Sequence, residues 1–272
     1  MLAQRVAVAI VGTPVIVGLT LVGGPAFSVA AGVVLTIAAL EFFSATDPER
    51  PEGGARRLTD QRIAGLLGAA SVALLVAAAD NGWEWWTRAL ALAVVLPFLP
   101  PILRGETESG LRDWMWVVSG LLYVGFLGSH VVLLRDAHNG EDWMLLALFA
   151  TFATDSGAYF VGRLFGRTKI APAISPGKTL GGSLGGIAAG LATVLVANRA
   201  LDAGAGWEIV PLALLLPVVA EIGDLAESLI KRGAGVKDAS RVLPGHGGVL
   251  DRLDSLLFTV PLVYYYLTWI VL

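Results

Sequence analysis

The sequence predicts an all-α, polytopic transmembrane protein of nine spans, with its N-terminus inside and its C-terminus outside. Three observations predict it. The chain of 272 residues is 56% hydrophobic and 15% charged, where a soluble domain carries about 25% charged residues. Nine stretches are apolar over roughly the 20 residues that a helix needs to cross a bilayer. Of the 19 Lys and Arg residues, 16 fall on alternate connections, as the positive-inside rule requires.

The stretches are 5–22, 26–46, 63–80, 86–103, 113–134, 143–162, 179–198, 207–230 and 255–272. Continuous apolarity excludes barrel strands, which alternate with period two. The first stretch follows a single cation, Arg5. A secretory signal cleaved after Ala30 is the alternative, but further spans follow directly, so a retained helix is expected. The inner side holds Arg5, Arg50, Arg56, Arg57, Arg62, Arg104 and Arg112, and every cation of 163–178 and 231–252; the outer side holds Arg88, Arg135 and Arg199. Trp83, Trp85, Trp86, Trp143, Trp207 and Trp269 fall at outer ends, and Trp114 and Trp116 at an inner end, which reads as interfacial anchoring. The seventh stretch opens with GGSLGGIAAG, Gly181 to Gly190, small residues that let helix backbones approach closely. The whole chain, 1–272, reads as one integral membrane domain. Residues 1–140 carry little chemistry and 145–272 carry most of it.

Several functions are excluded or disfavoured. With no cysteine there is no disulfide, thiolate metal site or thiol nucleophile, so any metal is held by oxygen or imidazole. A net charge of −3 offers no field for nucleic acid. No internal repeat is evident, which weakens a transporter built on inverted repeats.

Ionisable residues in spans are costly and mark function. Glu41 lies near the inner end of the second stretch, Asp155 in the sixth, and Glu221, Asp224 and Glu227 in the inner half of the eighth. Glu221, Asp224 and Ser228 share one helix face. For Glu41, Glu221 and Glu227 a plain acid near the interface, reaching water, stays open. The connection Ser228–Ser255 carries five cations, four of them before Pro-Gly-His-Gly-Gly and Arg252 after it, with Asp251 and Asp254 on one face of an opening helix. One such aspartate could simply cap the helix. Gly245, Gly247 and Gly248 allow close backbone approach, and amides in such turns cradle phosphate. The connection 155–186 adds Arg163, Arg167, Lys169 and Lys178. Ser175-Pro-Gly-Lys-Thr179 is not a P-loop: its first glycine would fall at Pro172, and no strand pattern precedes it. Concentrated cations with embedded carboxylates suit a divalent ion and phosphates, the requirements of phosphoryl-type transfer.

These residues resemble a known signature, that of the phosphatidate cytidylyltransferases, or CDP-diacylglycerol synthases. The pattern S-x-x-K-R-x4-K-D followed by P-x-H-G-G-x-x-D-R-x-D is met by Ser228, Lys231, Arg232, Lys237, Asp238, Pro244, His246, Gly247, Gly248, Asp251, Arg252 and Asp254. Gly223-Asp224, DSGAYFVGRLFGR, SPGKTLGGS and, further upstream, Leu40-Glu-Phe-Phe43 are similar to the family as well; Gly181 stands where an acid is usual. The resemblance implies that CTP and phosphatidic acid give CDP-diacylglycerol and pyrophosphate. It implies a catalytic set of Asp224, Asp251, Lys231 and Arg252, the arginine toward the lipid phosphate. Magnesium, together with potassium, would be held by Asp224 and Asp251, with Asp155 and Asp254 as further ligands. Lys178, Arg232 and Lys237 would join Lys231 on nucleotide and pyrophosphate, and Ser228, Asp238, His246, Gly247 and Gly248 would complete the substrate site. It also implies a homodimer among membrane lipids, in the inner (plasma) membrane, its site facing the cytoplasm. His130 and His138 read as structural. Two rivals stay: a CTP-dependent enzyme acting on an isoprenoid lipid (of the CDP-archaeol synthase or polyprenol kinase type), and an ion-coupled transporter using Asp155 and Asp224.

Overall fold

The computed structural model describes residues 2–47, 60–105, 107–201, 203–240 and 247–272. Long apolar runs with few interior breakers become helices, because in hydrocarbon every backbone N–H and C=O must be satisfied within its own segment. The helices are α1 (Leu2–Val22), α2 (Gly24–Ala45), α3 (Asp60–Ala79), α4 (Trp83–Arg104), α5 (Gly110–Arg135) and α6 (Gly140–Phe165). After a short hairpin come α7 (Leu180–Ala200), α8 (Ile209–Gly233), a single turn α9 (Leu250–Leu253) and α10 (Leu256–Tyr266). Among the described residues seven helices are long and apolar enough to cross a membrane, the last running from Leu250 to Val271; α1 and α3 contribute shorter apolar segments, 12–22 and 64–79.

The hairpin was not legible as strand. β1 (Lys169–Ala171) pairs antiparallel with β2 (Ser175–Thr179), Lys169 opposite Thr179. A strand therefore does precede the Ser175–Thr179 segment, contrary to the sequence reading. These strands are too short, and too polar, for an alternating pattern to show. Thr179 ends β2 and caps α7, its Oγ1 accepting from the Gly182 amide at 3.2 Å.

Within a bilayer lipid tails are as apolar as leucine, so close packing rather than loss of water holds helices together. The small-residue run on α7 does this. Gly182, Gly186 and Gly190 are buried, and a Cβ on Gly186 would stand 2.8 Å from the Thr154 carbonyl of α6. One buried cluster joins α6, α7, α8 and α10 through Trp143, Leu146, Val194, Leu212, Leu216 and Val260. A second joins α2, α3 and α5 through Leu35, Phe42, Val72, Leu75 and Leu121, and takes in Leu250 and Leu257. The segment 250–266 thus touches both clusters and ties the halves of the chain.

Two tryptophans correct the anchoring reading. Trp86 and Trp143 are 1% and 0% exposed, core residues rather than interfacial ones. Trp86 Nε1 donates to Ser129 Oγ at 2.7 Å, satisfying the indole inside. Trp83, Trp85, Trp207 and Trp269 are exposed, as an interfacial belt requires. His130 is fully buried among Trp86, Phe126, Tyr264 and Tyr265, with its ring nitrogens against Phe126 O and Tyr265 Oη. That is a structural role, as expected.

Candidate active site

The site is built on the inner half of α8. A helical period brings Glu221, Asp224, Glu227 and Lys231 along one side. Close approach to α9 and α10 is possible because position 223 is glycine: a Cβ there would stand 2.8 Å from the Asp254 carbonyl and 3.0 Å from Ser255 Cα.

Two lysine-centred clusters result. Lys178, carried in by β2, meets Glu221 Oε2 at 2.7 Å and Asp224 Oδ2 at 2.8 Å, and its Nζ donates to the Glu221 carbonyl at 3.3 Å. Ser183 Oγ adds a hydrogen bond to the same Glu221 oxygen at 3.2 Å. Burial acts to lower the Lys178 pKa, but the Asp224 and Glu221 carboxylates outweigh it and raise it above the ordinary lysine value. Lys231 meets Glu227 Oε2 and Asp251 Oδ1, both at 2.6 Å. Glu227 is 1% exposed and its Oε1 has no hydrogen-bond partner among the described residues.

The two clusters belong to one electrostatic unit. Asp254 feels the charges of Asp224, Lys231 and Arg252, and Asp155 feels those of Asp254, Asp224, Lys178 and Glu221. Asp155 lies on the surface of α6 rather than in its buried core. The unit therefore gathers Asp155, Glu221, Asp224, Glu227, Asp251 and Asp254 around two lysines. Such an excess of carboxylate calls for further cations. No three described His, Asp or Glu residues stand as a ready metal cage.

The glycine turn is used differently from its sequence reading. Gly247 has φ +82°, in the region that favours glycine. The amides that follow point at protein carboxylates: Gly248 N donates to Asp251 Oδ2 at 2.7 Å, and Leu250 N to Glu41 Oε2 at 2.8 Å. Asp251 also accepts from Ala239 N at 3.1 Å. It thus caps its own helical turn while holding Lys231.

Other sequence candidates sit around this core. Ser228 is half-buried on α8, one turn beyond Asp224. Arg232 is exposed and its Nε donates to the Ile174 carbonyl at 3.2 Å, linking α8 to the hairpin. Lys237, Asp238 and Arg252 are exposed. Pro244, Gly245 and His246 lie outside the described residues, as does Arg241.

One residue of the site was noted in the sequence without a role, and one escaped it. Glu41 crosses over from α2 to residues 240–250; its signal was being the sole acid in α2. Tyr123, from a π-helical turn of α5 at Leu121–Phe126, brings a buried hydroxyl with no partner among the described residues into the field of Glu227 and Asp254. Nothing in the sequence marked it.

Comparison with known proteins then places this geometry. The model of the cytidylyltransferase family matches residues 3–270. The chain belongs to the cytidylyltransferase family. A phosphatidate cytidylyltransferase of Synechocystis sp. (strain ATCC 27184 / PCC 6803 / Kazusa) is 33% identical over 97% of this chain and 95% of that protein. One of Staphylococcus saprophyticus is 31% identical over 74% and 78% of the two chains. One of Brucella suis biovar 1 is 41% identical over 55% of this chain, a match that spans 56% of the Brucella protein's length. The family match reaches well beyond 145–272, where the motifs are concentrated. The N-terminal helices that deliver Glu41 and Tyr123 are thus part of the cytidylyltransferase unit.

Proposed function

We propose that this chain transfers the cytidylyl group of CTP to phosphatidic acid, giving CDP-diacylglycerol and pyrophosphate. An oxygen of the lipid phosphate attacks the α-phosphorus of CTP. The bond from that phosphorus to the oxygen bridging to the β-phosphate breaks, and pyrophosphate leaves with the electron pair. No general base is needed, because a phosphate monoester is already ionised near pH 7. The work left to the protein is to position two anions and to neutralise the charge between them.

The observation that carries this reading is the convergence of Lys178 and Lys231 with six carboxylates from α6, α8, α9 and its C-terminal flank. Lys178 has its three donors committed to Glu221 and Asp224, so it serves to hold Asp224. Lys231 has two carboxylate partners and a donor to spare for a phosphate oxygen. Arg252 and Lys237, both exposed, suit the lipid phosphate and the pyrophosphate.

The donor set fits magnesium. This hard ion takes oxygen ligands and commonly uses one or two carboxylates, with waters and substrate phosphates completing its shell. A site without a closed cage of protein acids suits that habit. Asp224, with one of its neighbours Asp155 or Asp254, would hold it; Asp251, engaged by Lys231 and two amides, would do so only by exchanging a partner. Bound there, the ion would supply charge neutralisation at the triphosphate. Potassium beside it rests on the family resemblance alone.

Nine spans, N-in and C-out, are part of the proposal, with the site at the cytoplasmic face of the inner membrane. The 16-to-3 division of cations supports it. So does the way α1 and α3 fill the two remaining apolar stretches.

The test is a product assay on purified protein with labelled CTP. Phosphatidic acid, an isoprenoid ether analogue and a polyprenol are supplied in parallel, with magnesium omitted and then restored. Magnesium-dependent CDP-diacylglycerol with stoichiometric pyrophosphate is expected. A labelled product from an isoprenoid lipid alone, or none at all, would overturn the assignment.

A further inference from the structure

We propose that Glu41, in the N-terminal half, is a positioning residue that sets the direction of Asp251 and, through it, of Lys231. The proposal rests on the function inferred above for its consequence in catalysis, though not for its geometry.

Glu41 is 5% exposed near the inner end of α2. Its Oε1 accepts from Ser240 Oγ at 2.6 Å and from Val249 N at 3.1 Å, and its Oε2 accepts from Leu250 N at 2.8 Å. Ser240 and Val249 flank the segment 241–248. One carboxylate therefore grips both ends of that segment, across more than 190 residues of chain. Asp251 does the same one step further in: it accepts from Ala239 N at 3.1 Å and from Gly248 N at 2.7 Å. Donors on each side thus divide between the two acids, 239 and 248 to Asp251, 240, 249 and 250 to Glu41.

A carboxylate buried this far costs stability unless its lone pairs are filled, and here three donors fill them. Contact is tight as well. A Cβ on Gly248 would stand 2.5 Å from Glu41 Oε2, so a side chain at 248 would have to displace the Glu41 carboxylate from its donors. With Glu41 absent, Val249 N and Leu250 N lose their acceptor, and α9, a single turn of Leu250–Leu253, loses what orients it. Asp251 sits on that turn and carries the 2.6 Å contact to Lys231. Small misplacement of such a pair is costly to a reaction that depends on positioning.

The experiment compares full-length Glu41→Ala and Glu41→Gln with wild type in detergent, using two independent readouts. Hydrogen exchange comes first and needs no turnover. Glu41→Ala is expected to speed exchange of amides 248–251 at least tenfold while leaving those of 212–224 protected. Steady-state kinetics come second. Glu41→Ala is expected to lower kcat at least tenfold with KM for CTP within about threefold. Glu41→Gln, which keeps one acceptor oxygen, should recover most of the loss. Unchanged exchange at 248–251 would overturn the clamp whatever the reaction proves to be. Faster exchange with unchanged kcat would overturn the link to Asp251. A wild type that makes no CDP-lipid, with exchange as expected, would remove the proposed reaction and leave the clamp standing.

Discussion

Lys178 carries the site's charge balance at the scale of single residues. Lys178→Met should leave Glu221 and Asp224 facing each other uncompensated. Removing one partner of a fully buried pair costs about 3–5 kcal/mol. Asp224 is 32% exposed, so solvent screens part of this, and about 1–3 kcal/mol is expected as a lower melting midpoint in detergent, together with loss of turnover. The pH dependence follows from the raised pKa. A lysine whose folded-state pKa lies above its unfolded value stabilises fully below that unfolded value, 10.5, and loses the contribution as pH climbs through the folded one. Melting of wild type relative to Lys178→Met should therefore hold a constant gap from pH 6 to 9; a gap that closes within that window would contradict the pairing. Asp224→Asn and Asp251→Asn should each abolish turnover in protein that still purifies folded, and near-normal activity in both would remove the carboxylates from the reaction. The acids themselves were legible in the sequence, because charge inside an apolar span stands out. Their partners were legible only in part: Glu227 and Lys231 stand at i and i+4 on one helix, a spacing that favours the pair, whereas the pairing of Lys178 with Glu221 joins separate segments and does not follow from spacing.

Between elements, α6 and α7 matter most, because α6 carries Asp155 and β2, which leads into α7, carries Lys178. Their spacing is set by glycine. Gly186→Leu would force a side chain into the Thr154 carbonyl and Ala158, whose atoms stand 2.8 and 3.0 Å from the added Cβ. Overpacking of this kind costs about 1–3 kcal/mol. It should also move Asp155 away from Lys178, lowering kcat more than the melting midpoint alone would suggest. Gly177→Ala, in the hairpin where an added Cβ meets nothing within 4 Å, is the control expected to melt as wild type does. Helix existence and the small-residue contact were readable because both follow from composition along one segment. The hairpin and the four-residue turn α9 were not, since each is held by contacts with other segments rather than by its own periodicity. The tryptophans divide the same way. Position along the chain put six at outer ends, but only packing decides which of them, Trp86 and Trp143, turn inward.

For the whole molecule, the ends of the helices sort into two groups that sequence alternation alone would produce. At one end Ser28 Oγ meets Asp80 Oδ1 at 2.5 Å, and Arg135 Nε reaches the Thr20 carbonyl at 2.6 Å. At the other Trp116 Nε1 donates to Thr46 Oγ1 at 2.9 Å, Glu41 joins Ser240, and Arg232 joins Ile174. Every member of the first group lies at or beside a connection assigned outside by the cation count, and every member of the second at or beside one assigned inside. That agreement is independent of charge, because it depends only on which segments touch. It gives a direct topology test, made simple by a chain with no cysteine. Asn81→Cys, His138→Cys and Thr168→Cys each introduce one thiol at an exposed position. A membrane-impermeant maleimide added to intact cells should label residues 81 and 138, while residue 168 should react only after permeabilisation. Labelling of 168 from outside would invert the molecule and put the carboxylate site on the wrong side for cytoplasmic CTP. Labelling of 81 and 138 on opposite sides would mean that an odd number of crossings separates them, and α4 and α5 could not both span.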